Sequence, residues 1–152
     1  MKLLKHYFTS FITTLFLLLI GVGKVWGQAN AVSITTAGTA YTQDFNTLAN
    51  TGTSSTMPSG WYFVEAGTGG NTTYAEGTGS NNGGNTYSFG SASATDRSLG
   101  TLLSNSVTST IGAKFANDLG FDINSITISY VGEQWRMGAT GRLDKLDFQY
   151  SL

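Results

Sequence analysis

From residue 28 onward this chain never sustains the apolar spacing of three or four residues that an amphipathic helix requires. Short β-type runs recur instead, at a spacing of about 8–12 residues that suits sandwiches and barrels. They fall at 31–36, 40–46, 61–65, 72–76, 86–90, 97–103, 109–117, 124–136 and 142–151. Two of them alternate strictly. Within 124–130, Ile126, Ile128 and Tyr130 share one face and Thr127 and Ser129 the other. Within 143–152, Leu146, Phe148, Tyr150 and Leu152 lie opposite Lys145, Asp147, Gln149 and Ser151. Residues 137–141 between them suit a hairpin loop, so the two runs are predicted to pair antiparallel.

Residues 1–27 have a different character. Lys2 and Lys5 precede an apolar run from Phe11 to Val22, and small or modest residues follow at Val25 and Gly27. This is the layout of a secretory signal peptide, with cleavage expected between Gly27 and Gln28. The apolar core, at ~12 residues, is short of the ~20 needed to span a bilayer, so an uncleaved anchor is the weaker alternative. Cleavage removes His6, the only histidine, and three basic residues. What remains has five basic and nine acidic residues, a net charge of −4, with no cysteine and no histidine.

That composition excludes several chemistries. Serine and cysteine nucleophiles activated by histidine are impossible after cleavage, as is histidine-ligated zinc. The five basic residues are scattered, which disfavours nucleic acid. No membrane contact is expected once the leader is gone. Six Phe, six Tyr and two Trp remain after residue 27, enough aromatic surface for one core without disulfides. Between 71 and 95, Gly, Ser, Thr and Asn fill 18 of 25 positions. Tyr74, Tyr87 and Phe89 nevertheless imply short strands there, joined by a glycine-rich loop at 77–85. Residues 28–152 read as one module. The chain stops within its clearest alternating run, so it is expected to be a fragment that continues beyond Leu152 in a longer protein.

Several segments together resemble a known type of module. Gln43-Asp44-Phe45-Asn46-Thr47-Leu48 and Met57-Pro58-Ser59-Gly60-Trp61 are followed by Asp96-Arg97-Ser98-Leu99-Gly100 and Ile111-Gly112-Ala113-Lys114-Phe115-Ala116-Asn117. Then come the run from Ser125 to Arg136, ending Gly132-Glu133-Gln134-Trp135-Arg136, and Leu146-Asp147-Phe148-Gln149-Tyr150-Ser151. Over about residues 40–152 this is similar to the amino-terminal jelly-roll region of large secreted proteins of Bacteroidetes-type and related environmental bacteria. The resemblance implies an extracellular or cell-surface module and carries over no catalytic residues.

Candidate residues divide between ligand and architecture. Trp135 offers a stacking platform for a sugar ring, with Glu133 and Arg136 to bond hydroxyls. The architectural alternative is favoured: Trp135 packs the core, Arg136 pairs with Glu133 or Asp96, and Gly132 permits a bulge. Alternation places Glu133 and Trp135 on one face. Tyr62 is expected to point away from its core-facing neighbours Trp61 and Phe63, and Tyr74 is a further aromatic candidate for a polysaccharide. Asp96-Arg97 is expected to form an ion pair or a turn. Asn117, Asp118 and Asp122 bring oxygens together in a turn and are the candidate ligands of a structural calcium ion, although Asx side chains in turns usually serve the backbone. Glu65, Glu76 and Glu133 are the candidates for a glycosidase carboxylate pair. The expectation is an all-β, jelly-roll-type antiparallel β-sandwich, incomplete at its carboxy end and preceded by a signal-peptide helix. It is expected to act as a non-catalytic, secreted spacer, adhesion or surface-associated domain, with carbohydrate binding as the alternative and a glycoside-active enzyme as the weakest.

Overall fold

The structure is a computed structural model that describes residues 30–141 and 145–152. The predicted signal peptide and residues 142–144 of the last predicted strand lie outside the described residues. Among the described residues every regular element is a β-strand: β1 (Val32–Ile34), β2 (Thr53–Ser54), β3 (Trp61–Ala66), β4 (Tyr74–Gly77), β5 (Asn85–Phe89), β6 (Ser98–Leu102), β7 (Thr108–Ala113) and β8 (Phe115–Asn117). The fold is all-β.

A four-stranded sheet in the order β2-β4-β5-β6 faces the antiparallel pair β3-β7, which packs against β5 and β6. Phe63 of β3 meets Tyr74 of β4 edge to face at 6.1 Å, which ties the two layers together. β3 forms because Trp61-Tyr62-Phe63-Val64 is rich in aromatic and β-branched side chains. Its burial alternates as the sequence predicts, with Trp61, Phe63 and Glu65 half-buried and Tyr62, Val64 and Ala66 exposed. β7 and β8 are nearly one strand, and their partner changes at Lys114. There the Lys114 N–H donates to Gly60 O on the β3 side, and the Lys114 carbonyl accepts from Val32 N of β1, both at 2.8 Å.

Two of the five pairings depart from the antiparallel expectation: β1 runs parallel to β8, and β4 runs parallel to β5. The β4–β5 case is unusual, since parallel neighbours normally need a crossover of a dozen or more residues. Here only 78–84 separate the strands. Their seven residues include three glycines, and Gly79 adopts φ +85°. The glycine-rich loop expected between these strands is thus a tight crossover.

The predicted strand at 40–46 is a loop ending in a turn. Asp44 Oδ1 accepts from Asn46 N at 3.0 Å, and Phe45 takes φ +63°, so the Asp-Phe-Asn sequence breaks the extended backbone. The predicted strands at 124–136 and 142–151 and the hairpin joining them are likewise not formed among the described residues. Ile126, Ile128, Tyr130, Leu146, Phe148 and Tyr150 are all exposed. Alternation specifies faces, but a strand also requires a neighbouring edge for its amides. No sheet supplies one to these residues. β2 was not foreseen, because Thr53-Ser54 carries no apolar alternation.

Candidate functional site

β5 decides how the module is built. It is central in its sheet, and Thr86, Tyr87, Ser88 and Phe89 are all buried. Its two faces differ in chemistry. Thr86 and Ser88 face β3 and β7, where the Thr86 hydroxyl donates to Ser109 Oγ at 3.0 Å. Glu65 stands between the layers. Its carboxylate accepts from Thr86 N at 2.5 Å, Asn71 N at 3.1 Å and Ser109 Oγ at 3.4 Å. A carboxylate between layers is tolerable only when so supplied with donors. Arg97 is 2% exposed and pairs with no carboxylate among the described residues. Its Nε donates to Ser88 Oγ at 2.9 Å, Nη1 to Ser91 O at 3.1 Å and Nη2 to Ser88 O, while its backbone N–H donates to Asn46 Oδ1 at 2.9 Å. The expected Asp96–Arg97 ion pair is therefore corrected to a buried guanidinium held by neutral acceptors. Among the described residues no buried side-chain nitrogen or oxygen lacks a partner.

The other face of β5 is aromatic. Tyr87 and Phe89 lie 5.1 Å apart, and the glycines beside them make room: a Cβ at Gly77 would meet the Tyr87 ring at 2.9 Å, and one at Gly100 the Phe89 ring at 2.9 Å. The Gly132–Arg136 segment reaches this face. Trp135 stacks on Phe89 with ring centroids 6.2 Å apart and planes 8° from parallel. Its indole N–H donates to Glu133 Oε2 at 2.8 Å, and the Ser98 hydroxyl donates to the same oxygen at 2.6 Å. Arg136 Nη1 donates to the carbonyls of Ser80, at 3.3 Å, and Asn81 in the β4–β5 crossover. At Gly79 a Cβ would strike the Trp135 carbonyl. Arg136 therefore does not pair with Glu133 or Asp96 as the sequence suggested. It fastens the crossover through backbone carbonyls.

The sequence-derived candidates thus separate. Glu133 and Trp135 are joined by a hydrogen bond although no strand forms there, and with Arg136 they bind the protein's own groups. Tyr74 is 1% exposed and far from a ligand surface. Its hydroxyl donates to Thr56 O at 3.0 Å and accepts from Ala49 N at 2.9 Å. Tyr62 is 42% exposed and lies over Gly112, its partner across the β3–β7 ladder, on the outer face. No single surface unites the five.

The calcium candidates serve the β8 turn. Asn117 Oδ1 accepts from Leu119 N at 3.2 Å and its Nδ2 donates to Phe121 O at 2.8 Å, while Asp118 accepts from the Ser33 hydroxyl. Asp122 is exposed. Among the described residues no three His, Cys, Asp or Glu side chains cluster as metal ligands, and no helix is long and apolar enough to cross a membrane.

A second aromatic group brings together residues that lie far apart in the sequence. Tyr41, Phe45, Trp61 and Phe115 meet where β1, β3 and β8 come together. Phe45 packs edge to face on Trp61 at 4.6 Å, and Tyr41 on Phe115 at 5.7 Å. The Trp61 indole donates to Tyr41 Oη at 3.0 Å, which donates to Gln43 Oε1 at 2.8 Å. Nothing local in the glutamine-aspartate-phenylalanine-asparagine run points to Phe115, because their nearness depends on long-range pairing.

No protein-family model, curated protein or solved structure shows significant similarity to the chain.

Proposed function

We propose that the chain is a non-catalytic extracellular β-sandwich module of an exported bacterial protein, serving as a spacer, adhesion or surface-associated domain of the jelly-roll type. The observation that carries this reading is the use made of its most distinctive polar side chains. Glu65 and Glu133, two of the three candidate carboxylates, accept hydrogen bonds from the protein itself. A glycosidase acid or nucleophile needs its oxygens turned toward substrate. The absence of histidine and cysteine after residue 27 and the signal-peptide pattern support the same reading.

Two measurements test it. Cell fractionation is expected to place the protein outside the cytoplasm, with an amino terminus at Gln28. Incubation of the purified chain with a polysaccharide panel is expected to release no new reducing ends. Turnover that vanishes in Glu65→Gln or Glu133→Gln, with the fold intact, would overturn the non-catalytic reading.

A further inference from the structure

We infer that the junction of β1, β3 and β8 carries a binding site for a neutral saccharide, formed by Tyr41, Gln43, Trp61 and Phe115. The inference deepens the reading of the chain as a non-catalytic surface module and rests on it. Tyr41 and Phe115 are 39% and 48% exposed although each packs against the other at 80°. In this contact the edge of one ring abuts the face of the other, and each ring keeps part of its surface in solvent beside the Tyr41 hydroxyl. An aromatic ring with a polar handle suits a partner that is itself apolar on one side and hydroxylated on the other. A pyranose has this character, with axial C–H bonds for a ring face and equatorial hydroxyls for a polar rim.

The polar rim is present. The relay Trp61 Nε1 to Tyr41 Oη to Gln43 Oε1 fixes the phenol proton toward Gln43, and among the described residues nothing else bonds Tyr41 Oη or the Gln43 amide nitrogen, which can therefore meet hydroxyls. No basic cluster stands here to favour an anion.

The group is also held in place before any ligand arrives. Phe45 takes φ +63°, a costly conformation for a bulky residue that persists only where its surroundings impose it. Leu48 N donates to Phe45 O at 3.0 Å, Leu48 is buried, and Asn46 Oδ1 accepts from Arg97 N. The strained residue thereby presses its ring against Trp61, which in turn orients Tyr41. Such pre-organisation lowers the ordering cost of binding.

The test is calorimetric titration of the full mature chain with cellohexaose, xylohexaose and mannohexaose, with reducing ends measured on the same samples. Saturable binding to at least one is expected, weakened tenfold or more in Tyr41→Ala and Phe115→Ala and unchanged in Tyr62→Ala. Tyr41→Phe keeps the ring and removes the relay, and is expected to weaken binding less than Tyr41→Ala. Circular dichroism checks each fold. Binding lost in Tyr62→Ala alone, or no saturable binding to any of the three, would overturn the site. New reducing ends would instead overturn the non-catalytic reading and leave the site standing.

Discussion

At the scale of single residues, the module is held by polar side chains whose partners are other parts of the same chain. Tyr74 satisfies an amide and a carbonyl from two segments at once. Tyr74→Phe leaves both without the hydroxyl and is expected to cost about 1–3 kcal/mol in urea unfolding. Arg97 makes three side-chain hydrogen bonds to Ser88 and Ser91 in a buried setting. Arg97→Lys retains the charge but cannot reproduce the planar fork, so it is expected to lower stability by about 2–4 kcal/mol, read as a shift in the denaturation midpoint. The residue types were legible in the sequence, but their partners were not. Nothing local shows that Arg97 bonds Ser88 rather than Asp96, because that choice is set by which strands lie side by side.

At the scale of elements, the strands that form are those whose patterns meet a neighbour. The Trp61-Tyr62-Phe63 alternation was read correctly, because β7 lies beside β3 through its whole length. The equally clear patterns at 124–130 and 146–152 do not become strands among the described residues. Periodicity says which side chains share a face, and it is silent on whether a backbone edge is available. The parallel β4–β5 pair escaped for a related reason: its crossover is fastened by Arg136, some 55 residues away in sequence. Arg136→Ala is expected to raise amide hydrogen exchange at 78–84 severalfold while the β3–β7 ladder keeps its protection. Equal loosening of both regions would contradict the local role given to Arg136.

At the scale of the whole molecule, one sheet face is covered by the Gly132–Arg136 segment, while an apolar set nearby in sequence stays in solvent. Ile126, Ile128, Tyr130, Leu146, Phe148 and Tyr150 are each exposed, and exposed apolar side chains favour association. The purified chain is expected to self-associate at concentrations on the order of tens of micromolar, seen by light scattering. Ile128→Lys with Phe148→Lys is expected to raise that threshold without changing the circular dichroism of the folded strands.

Trp135 is a structural cover for β5, stacked on Phe89. The direct measurement is equilibrium urea unfolding of Trp135→Ala beside Trp135→Phe and Tyr62→Ala. Trp135 is half-buried, so its truncation is expected to cost about 2 kcal/mol, roughly half the value for a fully buried aromatic. Trp135→Phe is expected to recover most of that loss, and Tyr62→Ala to stay within about 0.5 kcal/mol of the parent, as exposed positions do. An unchanged midpoint in Trp135→Ala would contradict the account, because the ring would then be free surface and not part of the fold.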